Sequence, residues 1–198
     1  MITRRRKKQI EKLAVETRKK LTLDRRENFK LPSYLELFDV GLKMADLSDQ
    51  PIDVYVTYDV KKKKPKICID AKQSPEQTIY SLAHEIGHLV LDWKVDITKV
   101  EIEEPKLARK ESNLQNERLL ATSYKRKDGY STEELKGEKE ADYFATCFLM
   151  PRKSVKFLLK WCCNPKRNLL YATELIAFYY FVEQDLALQR IKELTGKA

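Results

Sequence analysis

At 198 residues and 23.3 kDa, the chain has room for one compact domain, or one domain with an extended arm, and a large multidomain machine is excluded. Hydrophobic residues make up 42% and charged residues 35%, enough for a core beneath a heavily solvated surface, which excludes wholesale disorder. Of the net charge of +9, residues 1–30 carry +8, from twelve Lys or Arg against four Asp or Glu. The apolar stretches are broken by charge, as Glu174 breaks residues 169–182, so none reaches the roughly 18 residues a bilayer span needs. The run Arg4 to Lys8, followed by Glu11 and Lys12, does not resemble a signal peptide. Together with four cysteines (Cys68, Cys147, Cys162, Cys163) that lack paired metal or disulfide spacing, this gives a cytoplasmic expectation with buried, chemically idle thiols.

Along the chain, Ile10, Leu13, Thr17 and Leu21 recur at helical spacing, so the basic arm reads as a helix with an apolar stripe on the body and lysines in water. The rival reading gives the arm salt-sensitive, non-specific contact with nucleic-acid phosphates. Leu35, Leu37, Phe38 and Leu42 predict a helix over 33–47, ended by Ser48 to Pro51. Alternation through Ile52, Val54, Val56 and Tyr58, resumed at Ile67 and Ile69, predicts an antiparallel strand pair with Lys61 to Lys64 as its tip. Ser74, Pro75 and Gln77 predict a capped start for a helix over 75–93.

Residues 93–132 are the least regular, with turn signals at Pro105 and Asp128-Gly129 and a charged helix expected over 106–121. Ser131 and Glu134 form a second capping-box pattern, opening a helix to Met150 that Pro151 closes. Shorter helices complete the C-terminus. The chain therefore divides into a basic arm (1–30), a core (31–151) and a helical C-terminal segment (152–198).

The second long helix carries His84-Glu85-Ile86-Gly87-His88, the H-E-x-x-H pattern, and these are the only two histidines in the chain. Side chains four apart share one helix face, so both imidazoles can reach one ion, and Glu85 falls where a general base for a metal-bound water belongs. Catalytic zinc usually has three protein ligands, so a third must come from elsewhere, and with no histidine left it must be a carboxylate. Glu138 on the next strong helix is the best candidate, with Glu140 as competitor and Asp92 less favourably rotated. Asp142, four residues beyond Glu138, can fix an imidazole tautomer, while Ala141 and Ala145 permit close helix approach.

These residues resemble a known family. His84-Glu85-Ile86-Gly87-His88, followed by Glu138-Lys139-Glu140-Ala141-Asp142-Tyr143-Phe144-Ala145 and Leu149-Met150-Pro151, is similar to the ImmA/IrrE-type metallo-endopeptidases, over roughly Leu31 to Gly196. The resemblance implies an α+β, zincin-like domain: a small antiparallel sheet packed against the H-E-x-x-H helix, with a helical C-terminal part. It also implies a gluzincin-type site with Zn2+ on His84, His88 and Glu138, and Glu85 as base. The implied substrate is a helix-turn-helix repressor of a mobile element or stress response. The chain departs from the family pattern in its 49-residue spacer between His88 and Glu138, its basic arm, and Tyr180-Phe181-Val182 where a turn glycine is usual.

The expected activity is peptide hydrolysis, with oxyanion stabilisation from a tyrosine or a cation, for which Tyr124, Tyr130 and Tyr143 are the tyrosines considered. Two rival readings are a zincin-fold binding protein that grips a repressor or nucleic acid without cutting it, and a DNA-binding module formed by the arm and C-terminal helices. Glu85 opposes the first, because a purely structural zinc has no use for a base beside it.

Overall fold

The computed structural model describes residues 2–24, 26–49, 52–103, 110–111, 117–124, 132–162 and 168–196. The described elements are α1 (Arg4–Lys20), a 3-10 turn (Asn28–Lys30), α2 (Leu31–Leu37), β1 (Gly41–Ala45), β2 (Ile52–Asp59), β3 (Lys64–Asp70), α3 (Pro75–Leu91), β4 (Lys110–Glu111), β5 (Glu117–Tyr124), α4 (Thr132–Leu149), α5 (Arg152–Trp161), α6 (Leu169–Tyr180) and α7 (Gln184–Thr195). The fold is α+β. Among the described residues, no helix is long and apolar enough to cross a membrane.

The sheet has the strand order β1-β3-β2-β5-β4. The expected hairpin is present: β2 runs antiparallel to β3, pairing Val54 with Ile69 and Val56 with Ile67. Two expectations need correction. The sheet is mixed rather than antiparallel, because β1 lies parallel to β3, pairing Gly41 with Lys66. Within the charged helix expected over 106–121, residues 110–111 are instead strand β4 and residues 117–121 belong to strand β5, which is antiparallel to β2; the remainder lies outside the described residues. Pairing the open edge of β2 satisfies a row of backbone groups, and that tertiary gain overrides local helix preference.

The helix expected over 33–47 stops at Leu37. Asp39 takes the left-handed conformation (φ 57°), and the N–H groups of Asp39 and Val40 return to the carbonyls of Glu36 and Leu35, a Schellman closure. Asp tolerates that region, so the chain turns without a glycine and residues 41–45 are released into β1. Of the lysine run, Lys61 to Lys63 stay at the tip. Lys64 is buried instead, and its Nζ donates to the carbonyls of Phe38 (2.6 Å) and Lys99 (2.5 Å).

The apolar stripe of α1 is inward, with Ile10, Ala14, Thr17 and Leu21 buried. Arg18 is also inward, donating from Nη1 to Asn28 Oδ1 (2.7 Å) and to the carbonyl of Phe148 (3.0 Å). Asn28 Nδ2 donates to the carbonyls of Leu149 (3.1 Å) and Tyr180 (2.5 Å). These side chains supply the partners that the last carbonyls of α4 and α6 lack within their own helices. The α6–α7 turn places Phe181 in the left-handed region (φ 51°), so a bulky residue does what glycine usually does. Cys68 and Cys147 are buried free thiols, whereas Cys162 is exposed, contrary to the expectation of burial; Cys163 lies outside the described residues.

Candidate metal centre

The site is built on two packed helices. Helix α3 starts as expected, with Ser74 Oγ accepting from the Gln77 N–H (3.2 Å) and Gln77 Oε1 accepting from the Ser74 N–H (3.1 Å). Its inner face is buried from Ile79 to Leu91, including His84, Glu85 and His88. Helix α4 crosses it at Gly87, where a Cβ would stand 3.2 Å from Ala141 Cα and 3.3 Å from the Ala141 carbonyl oxygen. That approach puts Glu138 opposite the imidazole pair.

His84 Nε2 and His88 Nε2 lie 3.1 Å apart. Glu138 Oε2 is 3.3 Å from His84 Nε2, and Glu138 Oε1 is 3.1 Å from His88 Nε2. A tetrahedral ion with bonds of about 2.0–2.1 Å separates its ligand atoms by about 3.3 Å, close to the spacing of the two nitrogens and of each nitrogen from its nearer Glu138 oxygen. The group could hold a metal.

The far nitrogen of each ring is held by its own carboxylate. His84 Nδ1–H donates to Asp142 Oδ1 (3.0 Å), and His88 Nδ1–H donates to Asp92 Oδ2 (2.7 Å). An ionised carboxylate only accepts, so each contact fixes a proton on Nδ1 and turns Nε2, the atom that would ligate an ion once unprotonated, toward Glu138. Tyr80 O–H also donates to Asp142 Oδ1 (2.9 Å), which holds that carboxylate in place.

The electrostatics favour a cation. Burial opposes charge on both rings, yet hydrogen bonds with Asp142 and Glu138 raise His84 to about 9, and those with Asp92 and Glu138 raise His88 to about 10. Burial would raise the Glu138 carboxyl, but the two imidazoles outweigh it and lower it to about 2. The charge of the fully buried Glu85 also raises both rings, which puts its carboxylate within electrostatic reach of the pair. Burial and the Asp142 carboxylate together push the Tyr80 hydroxyl well above the usual tyrosine range. Two imidazoles among Glu85, Asp92, Glu138 and Asp142 leave an excess of negative charge that a divalent ion would offset.

His84, His88 and Glu138 are thus brought together, with Glu85 beside them. Glu140 is not: Arg6 Nε (2.9 Å) and Nη2 (2.5 Å) both donate to its Oε2. Positions 138 and 140 project about 200° apart around a helix, so one residue meets α3 while the other meets α1. Asp92 is not placed as a ligand; it holds His88 from behind. Tyr143 is turned away, its hydroxyl donating to Glu193 Oε1 (2.9 Å). Tyr130 and the side chain of Tyr124 lie outside the described residues.

The roles of Asp92 and Tyr80 were missed in the sequence, although a signal was there. Tyr80, His84, His88 and Asp92 recur every four residues, one polar stripe on a helix face, matched by Glu138 and Asp142 on α4.

An α+β fold whose H-E-x-x-H helix meets a carboxylate from a neighbouring helix defines a zincin-like metallopeptidase domain. The chain belongs to the Peptidase_M78 family, described as the IrrE N-terminal-like domain, which matches residues 38–158, more than half its length. The match is narrower than the resemblance over Leu31 to Gly196, and α1, α6 and α7 lie outside it. No match to the chain was found among curated proteins.

Proposed function

We propose that the protein is a zinc-dependent endopeptidase, with His84, His88 and Glu138 as metal ligands and Glu85 as general base. One observation carries this reading: two imidazole nitrogens 3.1 Å apart are each faced by one oxygen of the same carboxylate, at 3.3 and 3.1 Å, with a buried carboxylate beside them. Zinc held there would supply Lewis acidity, acidifying a water and polarising a peptide carbonyl. Glu85 takes the proton from the attacking water and delivers it to the leaving amine. Asp142 and Asp92 keep both Nε2 lone pairs aimed inward, and Tyr80 steadies Asp142.

The substrate we propose is a helix-turn-helix repressor of a mobile element or stress response, on the strength of the resemblance carried by the two motif blocks. The test compares wild type with Glu85→Gln on a purified candidate repressor, with bound zinc measured in both. Glu85→Gln should keep its zinc and cleave about 100-fold to 10,000-fold more slowly. Equal cleavage by the two proteins would remove Glu85 from its role.

A further inference from the structure

The N-terminus of α5 opens onto a groove that the metal centre does not use. The groove, of about 640 Å3, runs between α1 and the corner at Pro151 to Ser154. Pro151 is the N-cap residue of α5 and makes no side-chain cap, and the first turn holds no acid. The N–H groups of Arg152, Lys153 and Ser154 therefore have no intrahelical acceptor, and they lie at the positive end of the helix dipole.

A second observation points to a ligand. Ser154 is only 8% exposed, yet it lines the groove and its hydroxyl has no hydrogen-bond partner among the described residues. Its hydroxyl oxygen is still open to solvent, so a ligand in the groove can reach it.

The charges around it are unbalanced. Lys8, Lys12 and Lys19 line the groove from α1, and Lys153 lines it from α5. Cations at a helix N-terminus oppose the dipole, so this placement sums positive potential at one point instead of neutralising it. Of the two carboxylates in the lining, Glu11 is held by Arg152 Nε (2.7 and 3.0 Å) and Glu16 stands 3.7 Å from Lys12 Nζ. Lys8, Lys19 and Lys153 have no ion-pair partner among the described residues. The floor is apolar, formed by Val15, Leu23 and Pro151.

We propose that this groove binds a small organic phosphate. The phosphate would accept from the first-turn N–H groups, the Ser154 hydroxyl and Lys153, while an apolar or aromatic body lies on Val15, Leu23 and Pro151. A dianion with three terminal oxygens matches this many donors better than a carboxylate does, and the volume is that of a small-molecule site. The proposal is independent of peptidase activity.

The test is calorimetric titration of the full chain with AMP, adenosine and inorganic phosphate at about 0.15 M salt. AMP should bind at one site with a Kd on the order of 10–100 μM, with adenosine and inorganic phosphate each at least about tenfold weaker. Ser154→Asp places a carboxylate where the phosphate would sit and also favours the helix start, so Tm should hold or rise while AMP affinity falls at least about tenfold. Lys153→Ala should weaken AMP binding with the fold unchanged. Adenosine binding as tightly as AMP would overturn the phosphate assignment, and inorganic phosphate matching AMP would overturn the assignment of the apolar body. Unchanged AMP affinity in Ser154→Asp, or no binding of AMP or phosphate at millimolar concentration, would overturn the site.

Discussion

Gly87 on α3 and Ala141 on α4 approach so closely that any β-carbon at 87 would meet backbone, at 3.2 Å from Ala141 Cα. An alanine within an exposed helix normally gains about 1 kcal/mol over glycine. Here that gain is opposed by a contact with main chain, which cannot swing aside as a flexible side chain does. Gly87→Ala should therefore lower stability by about 1–3 kcal/mol and draw Glu138 away from His84 and His88, weakening zinc binding. Thermal unfolding and zinc titration check the two halves. A variant more stable than wild type with unchanged zinc affinity would show that α4 has room to move.

The carboxylates behind the two rings should matter for metal affinity although neither is proposed as a ligand. Asp142→Asn and Asp92→Asn each replace an obligate acceptor with an amide that can present N–H to Nδ1 and reverse the tautomer. Zinc affinity should fall about 10-fold to 100-fold in each. Competition against a chelator of known affinity measures it. Tyr80→Phe, which removes one donor to Asp142, should have a smaller effect in the same direction.

Glu138 and Glu140 should separate cleanly. Glu138→Gln removes the carboxylate whose two oxygens face the imidazole pair, and should lose stoichiometric zinc. Glu140→Gln should keep it and cost only about 1 kcal/mol, since its partner Arg6 is partly exposed. Metal content per chain decides between them, and zinc retained by Glu138→Gln but lost by Glu140→Gln would reverse the assignment.

The candidate cluster was legible because it is local twice over: H-E-x-x-H fixes two rings on one face of α3, and the Glu138/Asp142 spacing fixes two acids on one face of α4. Helical period alone separates Glu138 from Glu140, but it does not say which of them faces α3. That depends on where Arg6 comes to rest, 134 residues away in sequence. The strands were legible where alternation was strict, as in β2. They were hidden where Leu35, Phe38 and Leu42 happened to fit a helix as well, and where β5 owes its form to the edge of β2. Asp39 and Phe181 hid two chain reversals for the same reason: each takes the left-handed conformation that a reader looks for at glycine.

Asn28 should be a stability hot spot with no part in the metal centre. Its amide joins Arg18 to the last carbonyls of α4 and α6 inside the core. Asn28→Ala leaves two carbonyls and a guanidinium without that partner, at a cost of about 2–4 kcal/mol. Urea unfolding measures the loss, and zinc content of the folded fraction should be unchanged. A cost below about 0.5 kcal/mol would mean that water replaces the amide without penalty.

Acid stability should depend on Glu193. Arg190 is fully buried, donating from Nη1 to Glu193 Oε2 (2.5 Å) and from Nε to the carbonyl of Met150 (3.1 Å). Burial alone would raise the Glu193 carboxyl, but the Arg190 charge and the hydrogen bonds from Arg190 and Tyr143 outweigh it and hold the carboxyl below its usual range. A carboxyl lowered in the folded state contributes stability that is fully present above its unfolded pKa, about 4.3, and is lost as pH falls through the lower folded value. Glu193→Gln should thus be less stable than wild type at neutral pH by roughly 2 kcal/mol, short of the cost for a fully buried pair because the Glu193 side chain is 25% exposed. The gap should close as pH falls below about 4, where wild type also protonates the group. Denaturant unfolding of both proteins across that range tests it: a gap that stays constant down to about pH 2 would show that the carboxylate charge is not what holds Arg190 in the core.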